Sequence, residues 1–301
     1  LTSGSCTNAT SNSIMITVLP NPTVGTVTAA QTICQGTTPT QLFVGSPNGT
    51  INWQYSTDNS TFTTILNANG NTLSSAAMGS LNVNTYYRVE VSNSPCPSVF
   101  SNSILITVIP AASAGTISAS QTICTGTQPS ALVSSGSNGS LQWEVSTNNS
   151  TWTTIAGATS ATLSSAQMGS LTATRYYRLV ATSCSGTSVN ISSAITITVS
   201  STSSVGSITP NQNVCSGSLP SSINLSSFNG TIQWQIASSA SGPFLPVGNG
   251  TNPLAGSQIG PISSNKFIRA SVTNQSCPSV LSSIHNITVL SLPIVNAGVD
   301  Q

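Results

Sequence analysis

The chain has 301 residues, 3% of them charged, with a formal net charge of +1 and 38% hydrophobic residues. Ordinary globular chains carry roughly 25% charged residues, so the polar surface falls to Ser, Thr, Asn and Gln. Four Arg and one Lys exclude nucleic-acid binding, where phosphate contacts supply most of the affinity, and no apolar run approaches the roughly 20 residues of a membrane span.

Taken in order, residues 1–20 (SCTNATSNSIMITVLP at their end) match the tail of a unit that recurs downstream. Leu1 therefore starts in mid-pattern, and the chain reads as a piece of something longer. The first whole unit is 21–110. Short segments bounded by Gly, Asn, Ser and Pro read as strands: Gly25–Ala29, Gln41–Gly45, Thr50–Ser56, Thr61–Leu66, a weaker one near Leu73, Thr85–Ser92 and Ser103–Ile109. One helical turn is expected near Ala76–Met78. Asp58-Asn59-Ser60 turns the chain between the tryptophan strand and its partner. Alternation sets Ile51, Trp53 and Tyr55 inward and Asn52 and Gln54 outward, then Tyr87, Val89 and Val91 inward and Arg88 and Glu90 outward.

The unit repeats. Trp53, Trp143 and Trp234 recur at about 90 residues, as do Cys34, Cys124 and Cys215, and Cys96, Cys184 and Cys277. That period suits a small independent β-sandwich of about 100 residues. The expected organisation is all-β: a tail at 1–20, whole repeats at 21–110, 111–200 and 201–290, and the start of a further repeat at 291–301. Each repeat has about seven strands, a tryptophan core anchor (Trp53, Trp143, Trp234) and, in the first two, an inward tyrosine (Tyr87, Tyr177).

Two cysteines per repeat without His or acidic company cannot complete a four-ligand zinc site. An even, regular count reads as one disulfide per repeat: Cys34 with Cys96, Cys124 with Cys184, Cys215 with Cys277. Cys6, the seventh, is expected to pair upstream. Leu81 followed six residues later by Tyr87 resembles the tyrosine corner of immunoglobulin-like sandwiches. Leu171 and Tyr177 repeat it, whereas Ile262 and Ile268 leave the third repeat less well pinned.

Little chemistry is offered. The acids are Asp58, Glu90, Glu144 and Asp300, out of phase with the repeats. Asp58 is expected to cap its turn and Glu90 to pair with Arg88 at the surface. His285, the single histidine, stands where the other repeats have Ile104 and Ile195. A lone histidine of this kind is a substituted strand position rather than a base. The one charge in phase is Arg88, Arg178 and Arg269, facing outward beside Gln54, Glu144 and Gln235. These six residues cover the sheet, or form a candidate interaction face for a glycan or an adjacent chain. No catalytic, cofactor or metal residues are assigned.

The run TIC-x-G, the WQ-x-ST-x-N-S-T-[FW]-T-x-I hairpin, the YYR strand and the Cys turn before ITV resemble a bacterial immunoglobulin-like repeat, similar to repeats of very long surface adhesins of the Bacteroidetes, including those of gliding bacteria. The resemblance implies export through the outer membrane by the type IX route and an extracellular, cell-surface place. The reading is a non-catalytic stalk of a large secreted adhesin, a row of sandwiches whose partners are neighbouring repeats and, beyond them, surface glycans or other chains. The alternatives are a subunit of a laterally packed filament or sheath, favoured by the near-absence of repelling charge, and a spacer in a secreted polysaccharide-degrading enzyme.

Overall fold

A computed structural model describes residue 4 and residues 10–291. Cys6 and residues 292–301 lie outside the described residues. Those up to Ala112, with Thr182–Val189, form one compact unit, and Ser113–Ala181 with the residues from Asn190 onward form a second.

In the first repeat the strands are β1 (Gln31–Cys34), β2 (Leu42–Phe43), β3 (Thr50–Ser56), β4 (Thr63–Thr64) and β5 (Thr72–Leu73), then the single turn α1 (Ser75–Met78), then β6 (Thr85–Asn93), β7 (Cys96–Phe100) and β8 (Ile104–Ile109). One sheet runs β1-β8-β6-β3-β4, with β7 also on β6. The facing layer is β2 paired with β5, extended by a bridge from Val27 to Val44. The chain changes layer between β4 and β5 and returns through α1. Every apolar side chain that alternation turned inward from β6 is buried: Tyr87, Val89 and Val91 meet Leu42, Val44, Trp53, Leu73 and Ile106 between the layers. This is an immunoglobulin-like β-sandwich, with β1 closing the sheet edge in parallel along β8.

The same plan recurs. Strands 121–124, 195–200, 175–183, 140–146 and 153–154 form the large sheet of the second repeat; strands 212–215, 285–290, 266–273, 231–237 and 245–246 form that of the third. The third repeat buries Ile223, Leu225, Trp234, Leu254, Ile268 and Val272 in its core.

The repeated motifs have local causes. In the run Cys34-Gln35-Gly36-Thr37, Thr37 donates both its backbone N–H (3.0 Å) and its hydroxyl (2.6 Å) to the Cys34 carbonyl. The third turn residue must take a positive φ, and Gly36 supplies +79° without a steric cost. In Met78-Gly79-Ser80-Leu81, Met78 closes the buried side of α1 and Ser74 caps its start; Leu81 then bridges back to Thr37. The serine before each last strand fills a break in the ladder: Ser101, Ser192 and Ser282 accept at Oγ, each at 2.9 Å, from the N–H groups of Val89, Leu179 and Ala270.

Several expectations need correction. β1 and β7 were not expected as strands, because each has little apolar alternation of its own and forms only against a distant partner. Gly25–Ala29 contributes only the Val27 bridge in the first repeat. Tyr55, on the inward side of β3, lies beyond the end of the core and is 42% exposed.

Candidate functional site

Each β3-type strand carries its tryptophan fully buried. The indole N–H of Trp53, Trp143 and Trp234 donates to the carbonyls of Gly70, Ser160 and Thr251 at 2.9, 2.9 and 2.8 Å. The acceptor lies in the loop after the hairpin, so the tryptophan fixes both strand and loop.

On the other side of the sheet the in-phase arginines make a repeated contact. Arg88 Nε donates to Gln54 Oε1 at 2.8 Å, Arg178 Nε to Glu144 Oε2 at 2.7 Å and Arg269 Nε to Gln235 Oε1 at 2.8 Å. The register places each acceptor directly opposite its arginine in the first and third repeats. Each guanidinium also lies over an aromatic face: Arg88 over Phe62 (3.8 Å to the ring centre) and Phe100 (4.3 Å), Arg178 over Trp152 (4.2 Å), Arg269 over Phe244 (3.9 Å). The sequence reading missed these rings. Phe62, Trp152 and Phe244 come from the far arm of the tryptophan hairpin and Phe100 from β7; the F/W in ST-x-N-S-T-[FW] was the available signal for Phe62 and Trp152. The expected Arg88–Glu90 ion pair does not form. Two residues apart on one strand, their side chains are bridged across it: Gln54 receives from Arg88 and donates Nε2–H to Glu90 Oε2 at 3.0 Å. Arg178–Glu144 is the ion pair found among the described residues, with the side chains 25% and 17% exposed.

Asp58 caps its turn as expected. Oδ1 accepts from the N–H groups of Ser60 and Thr61, both at 2.8 Å, and from the Ser56 hydroxyl at 2.7 Å. These donors hold its carboxyl well below the usual carboxylate range. Asn148 makes the same bonds in the second repeat.

The tyrosine corner is corrected. The Tyr87 and Tyr177 rings are buried, yet among the described residues neither hydroxyl has a hydrogen-bond partner. They open instead toward grooves of about 460 and 400 Å³ at the end of each sandwich. Burial, with Tyr55 nearby, pushes Tyr87 up to about 12, and burial also raises Tyr177.

The third repeat exchanges partners across the sheet: Tyr87 opposite Ile104 becomes Ile268 opposite His285. His285 is 1% exposed. Its Nδ1 lies 2.8 Å from the Thr209 carbonyl and its Nε2 lies 3.1 Å from the Gln212 amide nitrogen. A carbonyl only accepts and an amide nitrogen only donates, so Nδ1 carries the proton and Nε2 accepts. This histidine pins the strand from inside, so the third repeat does have a polar pin where a loose one was expected.

The largest correction concerns the cysteines. Cys34 is bonded to Cys184, and Cys124 to Cys277, with Cα separations of 5.8 and 4.7 Å. The first cysteine of one repeat thus joins the second cysteine of the next. Among the described residues Cys96 and Cys215 are free. The expected pairings 34–96, 124–184 and 215–277 fail for a geometric reason. Cys34 lies opposite Ile109, at the end of β8, whereas Cys96 lies opposite Asn93, at the start of β7. β7 and β8 form one arm of a hairpin, so at ~3.3 Å per residue the two cysteines of a repeat stand ~40 Å apart. A disulfide needs Cα atoms within about 7 Å.

The connecting segments are held in the same phase. Asn93 Nδ2 donates to the Pro20 carbonyl (2.8 Å), Ser183 Oγ to Pro110 (3.0 Å) and Asn274 Nδ2 to Ser201 (2.8 Å). At the bonded positions Gln35 N–H and Thr125 N–H each donate at 2.9 Å to the last strand, at Ile109 and Ser200. Among the described residues no cluster of three or more His, Cys, Asp or Glu could hold a metal ion, and no helix is long and apolar enough to cross a membrane.

The fold and its cross-links define a tandem array of immunoglobulin-like sandwiches. The chain belongs to the family described as Domain of unknown function (DUF8696), whose model matches it three times, over residues 23–110, 113–201 and 204–291. No curated protein matches it. Similar solved structures include titin domains A168–A170 (13% identity, 91% of this chain and 98% of that one, TM-score 0.41), Drosophila OTK extracellular domains 3–5 (14%, 92% and 99%, 0.33) and chicken CNTN1 FN1–FN3 domains (12%, 90% and 99%, 0.32).

Proposed function

We propose that the chain is a non-catalytic structural and adhesive repeat region, a stalk segment of a large secreted bacterial surface adhesin. The observation that carries this reading is the pair of disulfides running from repeat to repeat. Such bonds persist in oxidising, extracytoplasmic settings, and they join neighbouring sandwiches covalently instead of reinforcing each one internally. The low charge and the repeated arginine–aromatic contacts fit a sheet face shaped for coverage by a glycan or another protein chain.

The test is on intact cells. Antibody against the chain should label unpermeabilised cells, and external protease should remove the signal; labelling only after lysis would sink the reading. Replacing Arg88, Arg178 and Arg269 together by Ala should weaken attachment while surface display persists. Unchanged attachment would leave these arginines as sheet cover alone.

A further inference from the structure

We propose that Cys96 and Cys215 are complementary coupling cysteines, each pairing with a cysteine of the opposite class in a further repeat of this family, in the same polypeptide or in a second copy. The inference stands on junction geometry and does not rest on the adhesin reading.

Two independent features support it. On the Cys215 side, the local structure matches that of the two bonded first-class cysteines. Cys215 stands opposite Leu290 as Cys34 stands opposite Ile109 and Cys124 opposite Ser200. Ser216 N–H donates to the Leu290 carbonyl at 3.0 Å, as Gln35 and Thr125 do at theirs. Cys215 is exposed. On the Cys96 side, the connector that accompanies each bonded second-class cysteine is already in place: Asn93 holds the Pro20 carbonyl just as Ser183 and Asn274 hold Pro110 and Ser201 beside Cys184 and Cys277. Both halves of the junction are therefore formed while Cys96 and Cys215 are unbonded.

The pairing is head-to-tail. A first-class cysteine meets a second-class one, so the contact is heterologous and propagates rather than closing on itself. The chemistry is thiol–disulfide exchange. Each thiol gives up one proton and one electron to form the new S–S bond. A small-molecule disulfide such as oxidised glutathione takes both electrons and both protons and leaves as two thiols.

The experiment uses the full chain carrying Cys6→Ser, which removes the remaining unassigned thiol. Oxidation with glutathione disulfide should give a ladder of covalent multimers on a non-reducing gel, with Cys215 linked to Cys96 in the peptide map. Adding either Cys96→Ser or Cys215→Ser should abolish the ladder completely. In parallel, protein taken from cells is mapped without reduction. A link from Cys215 to the hairpin cysteine of a further repeat places the partner in the same polypeptide; the ladder places it in a second copy. Homotypic dimers that survive in one single variant would overturn the proposal. So would recovery of Cys215 as a free or glutathione-capped thiol in both preparations.

Discussion

Glu144 stands where the other two repeats carry Gln54 and Gln235, and it makes the same bond to the strand arginine that they make. The arginine is held by one acceptor and one aromatic face, and the acceptor's charge adds little at a partly exposed site. Glu144→Gln should therefore change unfolding free energy by less than about 0.5 kcal/mol, whereas Arg178→Ala should cost about 1–2 kcal/mol by losing the bond and the Trp152 contact together. Urea unfolding of the two variants checks both. Tyr87 gives a test in pH. Its phenol is raised to about 12 by burial, above the value near 10 of an unfolded chain. The unfolded state loses this proton first, so the contribution is fully present below about pH 10 and is lost as pH rises through the folded value. Tyr87→Phe should flatten the fall in melting temperature over that alkaline interval. An unchanged alkaline slope would show that Tyr87 does not titrate as its burial requires. Inward residues such as Trp53, Tyr87 and Val89 were legible because strand alternation depends only on neighbours in sequence. The aromatic cover on the arginines was not, because it joins side chains from two strands whose pairing must be known first.

At the scale of the element, the tryptophan hairpin is the part of each repeat most completely specified locally. β3 formed over the expected Thr50–Ser56, and its turn is set by one acceptor at Asp58 or Asn148. Because the neutral amide of Asn148 accepts the same backbone bonds, Asp58→Asn should leave the melting temperature nearly unchanged at neutral pH. Asp58→Ala should lower it, by leaving two turn N–H groups without a protein acceptor. The depressed carboxyl adds a sign: its contribution is present above the unfolded carboxylate value and is lost as pH falls through the folded one. Acid titration of melting temperature should therefore separate the native chain from the Asp58→Asn variant, with a difference that opens as pH drops and the native chain the less stable. β1 and β7 show the opposite case. Gln31–Cys34 gains its ladder only from β8, some 75 residues away in sequence, and no local pattern announces it. The even cysteine count carries no such register, and so it gives the wrong pairing: Cys34 is located by its register with Ile109 and by nothing nearer.

At the scale of the whole molecule, the two disulfide loops overlap: Cys34 to Cys184 spans 150 residues, Cys124 to Cys277 spans 153, and the stretch from Cys124 to Cys184 belongs to both. Loop-closure entropy favours each by up to about 5 kcal/mol. The overlap also fixes how far the polypeptide can be drawn out once its sandwiches have unfolded. Along the backbone, Cys34 and Cys277 are roughly 240 residues apart, an extended length of about 850 Å at ~3.5 Å per residue. Through the sulfurs, the route runs from Cys34 to Cys184, back along the chain to Cys124 and across to Cys277, a tether of roughly 60 residues or about 210 Å. Stretching one molecule from its ends should show the shorter limit when oxidised and the longer one after reduction. Full extension in the oxidised state would show that the bonds do not run between repeats. The middle of the second repeat is thus traversed backwards by the load, and it is the stretch that sets the molecule's length at rupture.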